Sequence, residues 1–330
     1  MTRRFPLWLT IVPLAAAVGG YWYAWSGWRD DFHAELARVV PGSAVTIGGF
    51  PYRMEAEVGA LARASRAPDI DARVSAASAV LNRGPWQRDL TIVRATQPRV
   101  AARIPSLASS GLSIAAPSAE MSVHLDQAGA VARLSTVFAR ATVGLALLGR
   151  PLTADKLEVH VRETPGRSDE AWSPVRPERA QLVLGGAGVR LGGGAPLTLA
   201  GDLGVNGPGK LVDFAHWAGE GSVAVRGLTL ADKTGEVLRL DATLVADAGR
   251  PRLTGTIVTV CPATVRAAFA GASPVSEQRL RLAVRLAVGG APGAWTLGGL
   301  PDAPRAVRAQ QPPCPALLGA ATGAAAGTRP

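Results

Sequence analysis

The sequence is short of several residue types on which common functional sites depend. It holds two cysteines in 330 residues, which excludes a four-cysteine zinc site and a scaffold built from many disulfides. Its four histidines share no metal-ligand spacing, and the motifs His-Glu-x-x-His, Gly-x-Ser-x-Gly and Cys-x-x-Cys are absent. Phe, Trp and Tyr make up 5% of the chain, against 38 glycines and 25 prolines, which favours many turns over a helical bundle. We therefore expect neither an enzyme nor a bound metal or cofactor.

Lysine is also scarce, so the net charge of +10 comes almost entirely from arginine. The only lysines are Lys156, Lys210 and Lys233, and apart from the Arg3-Arg4 pair the arginines of the first half are spaced singly. Nucleic-acid binding would be expected to show a dense basic run interleaved with aromatic residues. The charge therefore predicts no nucleic-acid partner and is compatible with attraction to phosphate-bearing lipid.

A charge-free run of 24 residues, from Phe5 to Trp28, predicts a transmembrane helix that serves as a signal anchor. Arg3 and Arg4 precede the run, whereas Arg29 is followed by two aspartates. This bias predicts a cytoplasmic N-terminus of residues 1–4 and export of the rest of the chain. The far end of the run is rich in side chains typical of a membrane interface: Tyr21, Trp22, Tyr23, Trp25 and Trp28. A signal peptide cleaved after Ala15–Ala17 stays open as the alternative.

After the anchor, the sequence predicts an amphipathic helix over 29–40, ended by Pro41-Gly42, and then a β-rich domain over 41–300. Apolar and polar residues alternate without a fault in Lys156–Arg162 and Arg279–Val288, as in half-buried antiparallel strands. Weaker alternation predicts further strands, one with a bulge at Gly227: Met121–Leu125, Gln181–Leu184, Leu197–Leu203, Val223–Leu230, Val237–Val245 and Leu253–Val260.

The predicted fold is mainly β, with a minor α contribution and curved antiparallel sheets in a meander, half-barrel or sandwich. Two subdomains that divide near 165–180 are an alternative. Helical exceptions are expected at Val131–Leu148, Lys210–Trp217 and Pro262–Phe269. Residues 301–330 are predicted to be a disordered tail, because 18 of the 30 are Pro, Ala or Gly.

The segment Gly49-Phe50-Pro51-Tyr52-Arg53 marks a corner between two short strands, because proline cannot donate to a ladder and glycine permits unusual backbone angles. One interpretation is structural, with Phe50 and Tyr52 packed into the sheet near the membrane. The other is functional, since an arginine beside two aromatic rings can hold a phosphate or a carbohydrate.

The two cysteines, Cys261 and Cys314, are candidates for a disulfide if the chain is exported. Such a bridge would tie the Pro-rich tail to the sheet. A redox switch and two free thiols are the alternatives.

The layout resembles a bacterial envelope family known as domain of unknown function 2125. The resemblance rests on the N-terminal span, the helix over Trp28–Val40, the Gly49–Arg53 signature and the stretch from Trp172 to Phe269. It implies a single-pass inner-membrane protein whose bulk is periplasmic, distantly similar to AsmA-type β-rich proteins that have been linked to lipid handling. The family has no established activity of its own, so the resemblance implies a topology and not a mechanism.

The sequence therefore favours a membrane-anchored periplasmic protein that binds lipid or another hydrophobic ligand of the envelope. The alternative is a non-catalytic scaffold that acts through contacts with an envelope protein partner.

Overall fold

A computed structural model describes residues 8–66, 70–108, 110–167, 178–207, 219–247, 249–299, 306–308 and 310–319. The described chain consists of a long N-terminal helix, an antiparallel sheet and a short helix near the end of the sheet. The helices are α1 (Trp8–Val39) and α2 (Pro262–Phe269). The strands are β1 (Val45–Gly48), β2 (Met54–Val58), β3 (Leu61–Arg66), β4 (Asp71–Ala76), β5 (Ser78–Gly84), β6 (Gln87–Thr96), β7 (Arg99–Arg103), β8 (Leu112–Ala115), β9 (Ser118–Leu125), β10 (Val131–Leu145), β11 (Leu152–Arg167), β12 (Glu178–Leu191), β13 (Leu197–Asn206), β14 (Ser222–Asp232), β15 (Gly235–Asp247), β16 (Arg250–Thr259), β17 (Val284–Ala291) and β18 (Ala294–Gly298).

The described strands form one sheet of 18 strands, and every pairing between them is antiparallel. From β10 to β18 each strand pairs with the next one in the chain, as in a meander. The sheet is open, since β1 and β18 are not paired with each other within the described part. The prediction of a mainly β, antiparallel fold is confirmed.

The eight strands β2 to β9 are halves of four longer ribbons that bend at their midpoints. β2 and β3 pair with β5 and β4 respectively, and these pair in turn with β6 and β7. β6 and β7 then pair with β9 and β8. The register is unchanged across each break: Thr96 faces Ser118 and Arg99 faces Ala115 on one ladder. By this register the break positions lie opposite one another in a line that we call the crease: Ala60, Ala77, Gln97, Pro117, Arg140, Asp155 and Gly188.

At the crease the alternation of side chains shifts by one residue. Phe138 and Ala141 lie on either side of Arg140, three residues apart, yet both are buried in the same cluster. Gln97, Arg140 and Gly188 take up this shift with φ angles of 50°, 49° and 63°. Glycine is required at 188, because a Cβ there would collide with the Asp155 carboxylate. On β10, residues on both sides of the crease therefore lie in the same buried cluster, and we call the face that carries this cluster the inner face of the sheet.

The buried core divides into three clusters along the sheet. At one end, Phe32 and Leu36 of α1 pack on Met54 and Ala56 of β2. In the middle, the cluster contains strand residues and the adjoining Ala116, with neither helix among its described members. The cluster at the other end joins residues of α2 and of the C-terminal segment to the sheet: Leu197, Val237, Leu238, Ile257, Val260, Cys261, Val265, Leu286, Val288, Cys314 and Leu317.

Several local predictions have a clear outcome. The bulge at Gly227 and the helix Pro262–Phe269 are confirmed. The helix proposed for Val131–Leu148 is wrong, because residues 131–145 form β10. The strand proposed for Arg279–Val288 begins only at Val284, since Leu280 instead bridges Val307 of the C-terminal segment.

Other predictions concern the ends and junctions of the domain. Part of the tail predicted to be disordered is packed, with Cys314, Leu317 and Leu318 buried. The proposed helix at 210–217 lies outside the described residues. Residues 168–177 of the proposed boundary between subdomains also lie outside the described residues. The strands on either side of them, β11 and β12, are paired in one sheet.

Candidate functional site

The Gly49–Arg53 segment is the turn between β1 and β2, at the end of the sheet next to α1. Gly49 has a φ of 97°, and a Cβ there would lie 2.7 Å from the Arg53 carbonyl oxygen, so only glycine fits. The Phe50–Pro51 peptide bond is cis. Tyr52 is 84% exposed, so the expectation that Phe50 and Tyr52 pack into the sheet is wrong.

An aromatic cluster joins this turn to α1 and to the β5–β6 turn. Its members are Tyr21, Trp25, Trp28, Phe50 and Trp86. The ring centroid of Tyr21 lies 5.8 Å from that of Phe50 and 5.6 Å from that of Trp86. The Tyr21 hydroxyl also donates a hydrogen bond to the Pro51 carbonyl. The cluster thus brings three of the five predicted interface residues of α1 together with the signature turn, whereas Trp22 and Tyr23 are exposed.

Helix α1 is one continuous element that contains both the predicted anchor and the predicted amphipathic helix. Residues 11–20 are exposed along its whole circumference, whereas Trp25, Phe32 and Leu36 are buried against the sheet. Within the part of the chain that the structure describes, no helix is long and apolar enough to cross a membrane.

The inner face of the sheet carries an unbroken row of apolar residues that spans ten strands. Each member faces the next across a strand pair: Val123, Leu134, Val161, Leu182, Leu203, Val225, Ala242, Gly255, Val288 and Leu297. The first six members of this apolar row are half-buried, whereas Ala242 and Val288 are fully buried near α2. The middle of the sheet therefore offers apolar side chains that are still partly accessible.

The outer face of the same strands is polar and paired in ion networks. Arg226 donates to Glu178 at 2.7 Å and to Asp202 at 3.1 Å, and Gln181 donates to Asp202 at 3.0 Å. Burial lowers the pKa of the Arg226 guanidinium, but its hydrogen bonds to the two carboxylates outweigh this and raise it above its ordinary value. The sheet is thus amphipathic, with charge on one face and the apolar row on the other.

A disulfide joins Cys261 at the start of α2 to Cys314 in the C-terminal segment. Nearby, Arg279 is only 1% exposed and pairs with Asp232, and it also donates to the Pro312 carbonyl. This burial corrects the prediction that Arg279 lies on the polar face of a strand. Burial raises the pKa of the Asp232 carboxyl, but hydrogen bonds from Thr234 and the charge of Arg279 outweigh this and lower it.

The described part of the chain shows no arrangement typical of a catalytic or metal site. It contains no group of three metal-ligating side chains, and His124 and His160 lie singly on the sheet, each within 4.0 Å of a carboxylate. An open pocket of about 300 Å³ on the β1–β2 hairpin is lined by Arg53, Glu55 and Glu57, with Arg53 already paired to Glu55 at 2.7 Å.

Comparison with known families decides the assignment. The model of the family described as "Uncharacterized protein conserved in bacteria (DUF2125)" matches residues 27–291. The chain belongs to this family. No significant match was found among curated proteins or among solved structures.

The DUF2125 match spans Trp28, the Gly49–Arg53 turn and Trp86, together with β1–β17. It ends before Cys314, so one partner of the disulfide lies outside the matched residues. The distant similarity to AsmA-type proteins stays a prediction.

Sequence reasoning missed Trp86 as part of the aromatic cluster. The available signal was a tryptophan in the turn Gly84-Pro85-Trp86-Gln87, between two alternating strands, where a large aromatic side chain has no sheet face to pack on.

Proposed function

We propose that this DUF2125 protein binds a lipid, or another ligand with an extended hydrocarbon part, along the inner face of its sheet. The apolar row carries the proposal, because ten consecutive strands align residues without charge in one register, and all but Gly255 have an apolar side chain. An acyl chain makes no hydrogen bonds and gains binding energy in proportion to the apolar area that it covers. A long strip of half-buried Leu and Val side chains offers that area.

Charge and packing at the two ends of the sheet support the same function. The described helices contribute to the end clusters, and the middle cluster contains no helix residue among its described members, so the central strands present the most accessible part of the row. The outer face is occupied by ion pairs such as Arg226 with Glu178 and is unsuited to hydrocarbon.

We further propose that residues 5–28 hold the chain in the inner membrane as a signal anchor, with the N-terminus cytoplasmic and the sheet periplasmic. The charge-free run, the Arg3-Arg4 pair before it and the exposed surface of α1 over residues 11–20 support this placement. The Cys261–Cys314 disulfide supports export, since such bonds persist in oxidising compartments.

Neighbouring residues on opposite faces of β12 supply a matched test of lipid binding. Leu182 lies in the apolar row, whereas Val183 is exposed on the outer face. The full chain and its Leu182→Gln and Val183→Gln variants would be purified from membranes in detergent, and the bound lipid quantified by mass spectrometry after extensive washing. We expect stoichiometric lipid in the parent and in Val183→Gln, and its loss in Leu182→Gln.

A photoactivatable fatty acid tests the same proposal without a substitution. Labelling of peptides from β10 to β14 on the parent chain is the expected result. Absence of label there, together with no retained lipid in the parent, would overturn the proposal even if Leu182→Gln proved unstable.

A second candidate function is an assembly scaffold, and the edge strand β18 favours it. Among the described strands β18 pairs only with β17, so its other edge has backbone donors and acceptors for an added strand. Thr296→Pro would remove one backbone N–H donor from β18. Loss of a crosslinked protein partner in this variant, with lipid retention unchanged, would favour the scaffold over lipid binding.

A further inference from the structure

The exposed aromatic side chains of the described residues all lie at one end of the molecule. Five Phe, Trp and Tyr side chains are exposed where the structure describes them: Trp22, Tyr23, Phe50, Tyr52 and Trp86. Three separate segments supply them, namely α1, the β1–β2 turn and the β5–β6 turn. We call these five residues the aromatic end.

Contacts between α1 and the two turns fix the level of the aromatic end along the helix. Phe50 contacts Tyr21 and Trp25, and Trp86 contacts Tyr21 and Trp28. Residues 8–20 precede this level, and at about 1.5 Å per residue they extend about 20 Å along the helix axis. The two turns thus lie beside the last charge-free residues of α1.

Charged residues begin immediately on the other side of the aromatic end. Arg29 lies over the Trp25 ring and Arg88 over the Trp28 ring, each 5.9 Å from the ring centroid, and Arg53 follows Tyr52 directly. Arg29 and Arg88 pair with exposed aspartates at 2.8 Å and 4.0 Å, and the exposed Arg53 pairs with the half-buried Glu55 at 2.7 Å. Exposed pairs of this kind are weak, so the guanidinium groups remain able to meet lipid phosphates.

The order along α1 is therefore charge-free helix, aromatic side chains and then arginines. This order matches the layers of a bilayer, in which Trp and Tyr occupy the interface and arginines meet the anionic headgroups outside it.

We propose that the aromatic end is a docking surface for the interfacial layer of an anionic phospholipid bilayer, into which the β1–β2 and β5–β6 turns insert. Tyr52 and Trp86 enter the headgroup region, and Arg53 and Arg88 bind phosphates beside them. The inference rests on the proposed attachment of α1 to a membrane, and it adds that the sheet itself touches the bilayer. Docking at three points holds the end of the sheet nearest α1 against the lipid surface.

The test uses the full chain reconstituted into vesicles of phosphatidylethanolamine and phosphatidylglycerol. One lipid probe carries a diazirine in the headgroup region and a second carries it in the acyl chain, and labelled peptides are identified by mass spectrometry. We expect the headgroup probe to label the peptides that contain Tyr52 and Trp86, and the acyl probe to label α1 before Tyr21.

Membrane attachment of α1 and docking of the two turns give different labelling patterns when either of them is wrong. Acyl labelling of α1 without headgroup labelling of the turns would overturn the docking surface and leave membrane attachment intact. Absence of label from both would overturn membrane attachment as well. Crosslinks from the turns to another protein chain, with no lipid label, would assign the aromatic end to a protein partner and overturn the proposal.

Matched variants sharpen the result. The double variant Tyr52→Ala with Trp86→Ala removes the two most exposed rings of the turns, of which Trp86 also contacts Tyr21 and Trp28. We expect headgroup labelling of the β1–β2 turn to fall several-fold while α1 stays labelled. The control is Leu282→Ala with Val307→Ala, which removes exposed apolar side chains near the C-terminal segment. This control should label like the parent, and an equal fall in both doubles would overturn the proposal.

Discussion

At the scale of single residues, Arg140 and Gln97 hold backbone angles that residues with side chains rarely adopt. Their φ angles are 49° and 50°, in the left-handed region where a Cβ approaches its own carbonyl oxygen. Both stand in the crease, where the alternation of side chains shifts by one residue although the register of the ladder is unchanged. The fold therefore keeps two strained residues in order to bend its ribbons.

Replacement of Arg140 by glycine is expected to stabilise the protein. Glycine adopts a positive φ freely, and the relief of strain exceeds the entropy that glycine loses on folding, so Arg140→Gly should raise the free energy of unfolding by about 0.5 to 1 kcal/mol. Equilibrium urea titration measures this change in the free energy of unfolding. Arg133→Gly is the control in the same strand, at a position without positive φ, and should destabilise by a similar amount. Equal destabilisation by both variants would show that Arg140 is not strained.

The ion pair of Asp232 with Arg279 is expected to make the free energy of unfolding fall in acid. Because its folded pKa lies below the unfolded value near 3.8, its stabilising effect is complete above that value and is lost as the pH falls through the folded pKa. Asp232→Asn leaves the Arg279 charge buried without its partner, which should cost about 3 kcal/mol at neutral pH. In denaturant titrations, the difference in free energy of unfolding between Asp232→Asn and the parent should become smaller below pH 3.8.

A surface pair serves as the reference for this measurement. Asp247 lies 3.1 Å from Arg252, and both side chains are exposed, so Asp247→Asn should change the free energy of unfolding by less than about 1 kcal/mol. If Asp232→Asn behaved like Asp247→Asn, the buried pair would contribute no more than a solvated one.

At the scale of elements, the C-terminal segment is bound to the sheet through the disulfide and through the buried residues Leu317 and Leu318. The bridge closes a loop with a sequence separation of 53 residues, and chain-entropy arithmetic gives it about 4 kcal/mol. The double variant Cys261→Ala with Cys314→Ala should therefore lose about that much stability in guanidinium titrations. Reduction of the parent protein should reproduce the loss, and an unchanged midpoint in either case would contradict the assigned role.

Alternation of polar and apolar residues predicted the strands of the second half well, because each of them faces solvent on one side and the core on the other. It misread β10 because the crease places Phe138 and Ala141 three residues apart on one face, which imitates helical spacing. It also misread Arg279–Ala283, where alternation persists but a pairing with Ala306–Arg308 replaces the ladder.

The candidate sites differ in how far the sequence reveals them. Tyr21, Trp25, Trp28 and Phe50 were singled out from composition and the turn motif, whereas Trp86 joined them only through the register that brings the β5–β6 turn beside α1. Most members of the apolar row were predictable as one face of a strand, except Leu134 in β10, which was predicted to be a helix, and Leu297 in β18, for which no strand was predicted. The continuity of the row across ten strands depends on pairing registers, which no single strand encodes.

At the scale of the whole molecule, the positive charge is compatible with the proposed docking on an anionic bilayer. The net charge is +10, and Arg29, Arg53 and Arg88 stand at the aromatic end. Attraction to anionic lipid is long-ranged and weakens with salt, whereas insertion of aromatic rings is not screened. Added salt should therefore lower the rate at which the proposed docking surface binds the bilayer more than it lowers the stability of the bound state.

The open meander should unfold locally from its ends, because each strand is held only by its neighbours. Strands β10 to β16 are 10 to 16 residues long, and β11 to β15 have two long partners each. Strand β18 has five residues and one partner, and β3 has six residues and pairs only with β4. In a sheet built of neighbour contacts, the opening free energy should rise from such edges towards the middle.

Amide hydrogen exchange of the full chain, followed by mass spectrometry, measures this gradient. We expect amides of β11 to β15 to exchange with the free energy of global unfolding, and those of β18 and β3 to exchange through smaller openings. Cys261→Ala with Cys314→Ala should speed exchange in β16 and β17, beside the released segment, more than in β11, because the disulfide lies in the core cluster at that end. Uniform protection from β3 to β18 would mean that the crease and the two end clusters join the sheet into one cooperative unit.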